Sequence, residues 1–333
     1  MPATSPLAVS VALCTHNGMP YVAEQVRSIL HQTRPPAQLV LSDDDSTDAT
    51  IETVNKVIAR FRAERPDPGI SVTILENKPA LGVVRNFEGA VAACTGDLIA
   101  LSDQDDLWVP DRLERMVAEF ERRPELTLLH TDARLVDGDA KPLASRLFDA
   151  IEFTPQEQQL EREGRAFELL LKRNVVTGAT TMFRRDLLER ALPFVDDWVH
   201  DEWLAMVASV FGTVDFLPDA LVDYRQHGGN QIGAAKLDAR GKLARLQEPR
   251  SERNQRLLSR AEALHDRLTE ADAPEKAIDA AARKVEHEKH RSALPRARAL
   301  RIVPVIAAAI RGRYSRFGRP RYDLIRDLIQ PDR

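Results

Sequence analysis

Short runs of consecutive apolar residues alternate, over the first 137 residues, with segments whose apolar residues recur at helical spacing. Continuous apolar runs are typical of strands buried on both faces of a parallel sheet, and helical spacing is typical of amphipathic helices. The pattern predicts strands at 8–14, 38–44, 70–77, 97–103 and 126–137, and helices at 21–30, 46–61, 83–94 and from about Pro110. This β-α repetition predicts an α/β fold with a mostly parallel sheet.

The alternation stops after residue 137. Residues 138–165 are polar and irregular, which predicts a long loop. Beyond them the pattern predicts a strand at 177–183, a helix at 201–211 and a last strand at 220–228, and from about residue 234 it is helical and densely charged. We therefore predict one domain over 1–232, with halves of about 1–137 and 138–232, followed by a helical region over 233–333.

Composition and charge narrow the class of protein. The 333 residues are 43% hydrophobic and 29% charged, an ordinary globular composition, and the net charge of −4 argues against a general nucleic-acid binder. Cys14 and Cys94 lie in apolar segments, which indicates buried thiols of a reducing compartment. The first apolar run lacks a preceding basic region, so we interpret it as a strand rather than a signal peptide, and no apolar stretch is long enough to span a bilayer.

Polar side chains collect where the predicted parallel strands end. Such ends form the ligand-binding edge of open α/β sheets. A single Asp there usually forms a turn or caps a helix, but three carboxylates at each of two strand ends need another explanation. Clustered carboxylates repel unless a cation offsets their charge, and hard oxygen ligands favour Mg²⁺ or Mn²⁺. The acidic groups are Asp43, Asp44 and Asp45 after the second strand, and Asp103, Asp105 and Asp106 after the fourth.

Six segments follow one another in an order and spacing that resemble family 2 glycosyltransferases of the GT-A fold. The resemblance covers roughly residues 7–232, and "SDQDDLW", "HDEW" and "YRQHG" are most similar to bacterial rhamnosyltransferase-like enzymes of surface polysaccharide assembly. It implies a Rossmann-like, mostly parallel sheet flanked by helices, with a helical C-terminal extension. The segments are VSVALCTHNG, LVLSDDDSTDAT, NKPALGVVRNFEGAVAACTGDLIALSDQDDLW, VTGATTMFRRDLL, HDEWLAMVAS and YRQHGGN.

The resemblance also implies roles for individual residues. Residues of about 1–137 would bind the nucleotide, and those of about 138–232 the acceptor. By this match Asp44 receives the base N–H, Asp105 ligates Mg²⁺ or Mn²⁺, His227 closes over the metal or diphosphate, and Asp201 is the catalytic base. The residues matched to nucleotide-sugar binding are Thr15, His16, Asn17, Asp43, Asp44, Arg85, Asn86, Asp103, Gln104 and Gly178.

Four further residues have two interpretations each. Glu202 is a second carboxylate that competes with Asp201, which would itself also suit a helix cap. His200 either tunes that base or packs, and Trp203 either stacks on a sugar or belongs to the core. Asp106 supports the metal ligand or the entry of the following helix.

We expect an inverting, metal-dependent glycosyltransferase that moves rhamnose from dTDP-rhamnose to a bacterial surface polysaccharide or lipid-linked acceptor, in the cytoplasm at the inner face of the membrane. One alternative is the same fold acting on a UDP-hexose. A sugar nucleotidylyltransferase is disfavoured because "CTHNGMPY" offers one glycine where a glycine-rich phosphate loop is expected. A non-enzymatic glycan-binding protein is disfavoured because Asp105 and Asp201 are both present.

The C-terminal region has a basic character of its own. From Lys289 onward it holds twelve Lys or Arg against three Asp, and "LRIVPVIAAAIRGRYSRF" is apolar with basic flanks. Such a segment can lie in an anionic membrane interface. It is equally compatible with a soluble helix that packs on the domain and presents a solvated basic face.

Overall fold

The computed structural model describes residues 6–66, 69–227 and 249–332, which divide into two compact units. The first unit contains the described residues up to 164 and those of 176–227. The second contains 165–175 and the described residues from 249 onward. The predicted domain boundary at 232–233 lies outside the described residues.

A nine-stranded mixed sheet forms the centre of the first unit, in the order β3-β2-β1-β4-β8-β6-β9-β5, with β7 paired to β6. Strands β1, β2, β3, β4, β6 and β9 run in one direction, and β5, β7 and β8 run in the other. The prediction of an α/β fold with a mostly parallel sheet is confirmed. The strands are β1 (Val9–Thr15), β2 (Gln38–Asp44), β3 (Ser71–Asn77), β4 (Leu98–Ser102), β5 (Leu107–Trp108), β6 (Leu126–Val136), β7 (Pro142–Arg146), β8 (Met182–Arg184) and β9 (Thr213–Arg225).

Helices flank this sheet. Strands β1, β2 and β4 are buried along their whole length, which explains why their sequences are almost continuously apolar. In the first helix Val22, Val26 and Ile29 are buried at helical spacing. The helices of the first unit are α1 (Val22–Leu30), α2 (Thr50–Glu64), α3 (Val83–Ala92), α4 (Arg112–Arg122), α5 (Leu147–Ala150), α6 (Pro155–Arg162), α8 (Leu188–Ala191) and α9 (His200–Phe211), and α7 (Ala166–Leu170) belongs to the second unit.

The prediction of a long loop over 138–165 is wrong. This segment contains β7, α5 and α6. Helix α6 begins at a capping box, in which the Thr154 hydroxyl accepts from the backbone N–H of Glu157 while the Glu157 carboxylate accepts from the backbone N–H of Thr154. Because α6 is polar, its sequence has no apolar periodicity that would predict a helix. Its start is indicated only by the capping residues and by the proline that follows Thr154.

Two predicted strands have different limits in the structure. The strand expected over 177–183 is confined to Met182–Arg184, and Gly178–Thr180 form a 3₁₀ turn. The hydroxyls of Thr180 and Thr181 both donate to the carbonyl of Thr177 at 2.9 Å, a local bonding pattern that competes with strand pairing. The last strand begins earlier than predicted, at Thr213, and ends at Arg225.

The second unit is helical in its described part. It contains a small apolar cluster of Leu294, Val305, Ala308 and Tyr314 beside a polar interior, in which Arg291 contacts Asp327. No helix within the described ranges is long and apolar enough to cross a membrane. The remaining helices are α10 (Arg250–Glu270), α11 (Glu275–Ser292), α12 (Arg298–Ile310), α13 (Arg313–Phe317) and α14 (Pro320–Ile329).

Candidate active site

A cavity of about 550 Å³ lies in the first unit at the carboxyl ends of β1, β2 and β4. Parallel strands place these ends at one edge of the sheet, which is why residues far apart in sequence meet there. Twelve of the seventeen residues singled out from the sequence line the cavity. They are Thr15, His16, Asn17, Asp44, Asn86, Asp103, Gln104, Asp105, Gly178, His200, Asp201 and His227.

The other five do not line the cavity. Asp43 is buried and accepts from the hydroxyls of Thr15 and Ser46, both at 2.6 Å. Trp203 is fully buried, and its indole N–H donates to the carbonyl of Ala191, so its ring belongs to the core and is not exposed to a sugar. The remaining three are Arg85, which pairs with Glu88 and Asp196, Asp106, which is buried, and Glu202, in the first turn of α9.

Side-chain to backbone bonds connect the segments that follow β1, β2, β3 and β4. Gln104 accepts from the backbone N–H of His16 at 2.8 Å and donates to its carbonyl at 3.1 Å. His16 Nδ1 lies 2.6 Å from the carbonyl of Asp44. The Asp44 carboxylate in turn accepts from the backbone N–H groups of Leu81 and Gly82. These bonds fix the rim of the cavity before any ligand arrives.

Carboxylates concentrate after β4, where Asp103 and Asp105 line the cavity and the adjacent Asp106 is buried. Burial and, after it, the charges of Asp105 and Asp201 raise the pKa of Asp103 to about 7. Burial and the charges of Asp105 and Asp103 also raise the pKa of Asp106 well above its usual range, and one oxygen of Asp106 has no hydrogen-bond partner. The raised pKa values show that nearby donors and cations do not fully offset the burial and mutual repulsion of these carboxylates.

Asp105 and His227 are the residues suited to hold a metal ion. Asp105 Oδ2 and His227 Nε2 lie 2.8 Å apart, and the His227 ring is tilted against Tyr21 with 4.7 Å between ring centroids. Across the described ranges, no group of three or more His, Cys, Asp or Glu is arranged to bind a metal. One carboxylate and one imidazole beside uncompensated charge fit a divalent cation that takes its other ligands from water and substrate.

Asp201 lies in the first turn of α9 and lines the same cavity. One of its oxygens accepts from the backbone N–H of Gly178 at 2.7 Å, and the other from the backbone N–H of Glu202 at 2.7 Å. A Cβ at Gly178 would lie 3.0 Å from His200 Nε2 and 3.4 Å from Asp201 Oδ2. The absence of a side chain at residue 178 therefore allows this turn to approach the His200 ring closely, beside Asp201.

His200 packs rather than carrying charge. Its ring stacks on Phe87 with 3.8 Å between centroids, and neither ring nitrogen has a hydrogen-bond partner. Burial lowers the pKa of His200 to about 3, so the ring is neutral at physiological pH. A neutral imidazole at the cavity wall can exchange a hydrogen bond with a ligand but cannot offset the negative charge of Asp201.

Three residues that the sequence reasoning did not assign complete the site. The guanidinium of Arg225 donates to the carbonyl of Asp105 at 2.7 Å and to that of Gly138 at 2.6 Å, and it pairs with Glu24 at 2.9 Å. The other two, Tyr21 and Tyr224, line the cavity. Tyr224 and Arg225 are the last two residues of β9 and belong to the quoted "YRQHG" segment, so their place at a strand end was the signal that the sequence offered.

Comparison with known proteins shows the family and the fold of the chain. A family model described as "Glycosyl transferase family 2" matches residues 10–192. An uncharacterised protein of Mycobacterium tuberculosis is 27% identical over 239 residues, which are 70% of this chain and 62% of that protein's length. TuaG of Bacillus subtilis, a putative teichuronic acid biosynthesis glycosyltransferase, is 31% identical over 135 residues, which are 40% of this chain and 50% of TuaG. The chain thus spans less than two thirds of these relatives.

Two solved structures share the fold. TarS of S. aureus in complex with UDP-GlcNAc superposes with a TM-score of 0.55 at 15% identity, covering 85% of this chain and 72% of that chain. The mannosyltransferase PcManGT of Pyrobaculum calidifontis in complex with GDP-Man and Mn²⁺ superposes with a TM-score of 0.51 at 21% identity, covering 92% and 76%. The fold is GT-A, and because the family model matches more than half of the residues, the chain belongs to glycosyl transferase family 2.

Proposed function

We propose that this protein is an inverting, metal-dependent glycosyltransferase that transfers rhamnose from dTDP-rhamnose to a growing bacterial surface polysaccharide or a lipid-linked acceptor. The observation that carries the proposal is the meeting, in one cavity, of the Asp105–His227 pair and Asp201. Family membership supports the reaction class. The proposed location is the cytoplasmic face of the membrane, where lipid-linked acceptors would be presented.

The shape and position of the cavity support a nucleotide-sugar donor. Its volume of about 550 Å³ falls in the range that holds small-molecule ligands. The loop of Thr15, His16 and Asn17 would contact the nucleotide, and Asp44 would receive the base N–H. TarS has been solved with UDP-GlcNAc and PcManGT with GDP-Man, which supports the donor class without deciding the base or the sugar.

Asp105 and His227 would hold Mg²⁺ or Mn²⁺. Such an ion, when bound, neutralises the charge that grows on a leaving diphosphate. The PcManGT complex contains Mn²⁺, in agreement with this choice of ion. In this chain the carbonyl of Asp105 is held by Arg225, so the carboxylate is presented from a fixed backbone.

Asp201 would act as the general base. Its carboxylate takes the proton from an acceptor hydroxyl while that oxygen attacks the anomeric carbon from the face opposite the diphosphate. The bond between the anomeric carbon and the diphosphate oxygen breaks, and the nucleoside diphosphate leaves with the electron pair. The backbone N–H of Gly178 fixes the orientation of the carboxylate, and the neighbouring His200 ring is neutral because burial lowers its pKa to about 3.

Calorimetric titration with dTDP and with UDP, each with and without Mn²⁺, tests the donor and the metal. We expect tighter binding of dTDP and a loss of affinity for both nucleotides without Mn²⁺. Tighter binding of UDP would favour the UDP-hexose alternative, for which the UDP-GlcNAc complex of TarS is the supporting observation. An equal nucleotide affinity with and without Mn²⁺, or no nucleotide binding at all, would exclude the proposed mechanism.

Asp201→Asn tests the base separately. We expect nucleotide affinity to stay within about twofold while transfer to a glycan acceptor falls by on the order of 10²–10⁴. Asp45→Asn is the matched control, because Asp45 has a positive φ of 61° that Asn also tolerates and because it does not line the cavity. Transfer that survives in Asp201→Asn would move the base to Glu202 or elsewhere.

A further inference from the structure

A stripe of large apolar side chains is exposed on the second unit. On α12, Ile302, Val303, Ile306 and Ile310 are 49%, 76%, 47% and 82% exposed. Their spacing places them on one face of the helix, within about a third of its circumference. Helix α14 adds Tyr322, Ile325 and Ile329, which are also exposed at helical spacing. We call these seven residues the apolar stripe.

The opposite face of α12 already supplies the packing that a soluble helix needs. Val305 and Ala308 are buried in the apolar cluster of the unit, next to Leu324 and Leu328 of α14. An ordinary surface helix presents one apolar face to its core and a polar face to water. Helix α12 is apolar on both faces, and contiguous exposed apolar surface of this kind marks a binding surface.

The segment that carries the stripe is rich in arginine. Residues 297–332 contain eight Arg and three Asp, with no Lys or Glu. Seven of these arginines have exposed or half-buried side chains, whereas Arg301 is fully buried. The seven are Arg298, Arg311, Arg313, Arg316, Arg319, Arg321 and Arg326.

The three carboxylates of this segment are directed inward. Asp327 is fully buried and bonds to Arg291 at 2.7 Å and to the Tyr314 hydroxyl at 2.8 Å. Asp323 pairs with Arg253 at 2.9 Å, and Asp332 with Arg250 at 3.2 Å. The acidic groups are thus engaged with buried arginines, and the seven exposed or half-buried arginines of 297–332 outnumber the three carboxylates of that segment.

We propose that the apolar stripe and its arginines form a docking surface for an anionic lipid bilayer. Isoleucine and valine side chains would enter the boundary between headgroups and acyl chains, and the guanidinium groups would contact lipid phosphates. The charge decides between this occupant and a second copy of the chain, because pairing two stripes would bring like-charged arginines together. The inference goes beyond the proposed transfer reaction and is tested without it.

Vesicle co-sedimentation of the full chain tests the surface. We expect binding to mixed phosphatidylcholine–phosphatidylglycerol vesicles, weak binding to phosphatidylcholine alone, and release by salt. Val303→Gln with Ile310→Gln should lower the partition coefficient about tenfold or more per residue, because each loses an inserted side chain. Leu143→Gln is the matched control, since Leu143 is an exposed leucine of β7 in the first unit.

A second variant tests the charge independently. Changing Arg313, Arg316 and Arg321 to Gln should lower partitioning on the order of a hundredfold, since each basic residue near an anionic surface contributes about fivefold. Changing three exposed arginines of the first unit to Gln should have little effect. These controls are Arg60, Arg62 and Arg65, in or next to α2.

The possible contrary results are distinct. Equal binding to neutral vesicles, no binding, or binding that neither set of stripe variants changes would each overturn the proposal. Light scattering provides a further check. A dimer that Val303→Gln with Ile310→Gln dissociates, in a protein that does not sediment with vesicles, would assign the stripe to contacts between copies and also overturn it.

Discussion

Arg225 is predicted to be a positioning residue whose removal weakens both the first unit and its metal site. Its side chain is 2% exposed and donates to two backbone carbonyls, those of Asp105 and Gly138. Arg225→Met keeps a linear side chain but removes the charge and every donor. The matched control is Arg134→Met, because Arg134 also pairs with a carboxylate, Asp223, but its side chain is 52% exposed.

The structure allows the size of the effect to be worked out. Each bond from the charged guanidinium to a carbonyl contributes about 1.5–3 kcal/mol. The ion pair with Glu24 adds about 0–1 kcal/mol, because that carboxylate is half exposed. Removing the guanidinium also removes the desolvation cost of burying it, which offsets part of the loss. We expect Arg225→Met to lower the free energy of unfolding by about 3 kcal/mol, and Arg134→Met by about 1 kcal/mol or less.

Urea unfolding followed by tryptophan fluorescence measures this difference. The chain has three tryptophans, Trp108, Trp198 and Trp203, and all lie in the first unit, so the signal reports that unit. A loss of 3 kcal/mol should move the midpoint by about 1 M or more. Mn²⁺-dependent nucleotide affinity should fall about tenfold in Arg225→Met. Equal midpoints for the two variants would refute the reasoning.

Two other predictions concern one glycine and one histidine. Gly178→Ala should lower kcat about tenfold to a hundredfold, because its Cβ would force the His200 ring, next to Asp201, to shift by a few tenths of an ångström, whereas Gly89→Ala, an exposed helical position with nothing within 4 Å, should leave kcat unchanged. Steady-state kinetics measures kcat of both variants, and an equal change in the two would contradict the expectation that a Cβ at residue 178 crowds the site. Burial lowers the pKa of His287 to about 4. Between pH 6.5 and 4 the unfolded chain therefore binds a proton that the native chain does not, and stability should fall by roughly 3 kcal/mol as pH falls through that window. His287→Phe should flatten this decline in acid titrations followed by circular dichroism, and an unchanged decline would mean that other groups cause it.

The sequence alone was enough to predict the β-α repetition and the edge where chemistry collects. Continuous apolar runs report burial on both faces of a strand, which is a local property of the chain. The strand ends follow from those runs, so Asp44, Asp103 and Asp105 could be assigned to one edge before the structure was known. The polar helix α6 was not predicted, because it buries little apolar surface and so shows no apolar periodicity. Its capping box marks only the helix start and does not by itself predict a helix.

Tertiary structure decided which of neighbouring residues face the cavity. Successive side chains of a strand point to opposite faces, so Asp43 bonds to Thr15 and Ser46 while Asp44 lines the cavity, although the two are chemically identical. The sequence gives no information on the direction in which each side chain points relative to the folded sheet, so neighbouring aspartates receive the same prediction.

The tertiary structure also decided the contacts between residues that are distant in sequence. The bond from Arg225 to the carbonyl of Asp105 joins residues 120 positions apart, and it exists only because β9 passes beside the loop that follows β4. On α12 the sequence shows an apolar helix with basic flanks, but packing decides that Val305 and Ala308 are buried while Val303 and Ile310 remain exposed. Composition and periodicity are properties of the chain, whereas the partner of each side chain is set by the packing of distant segments.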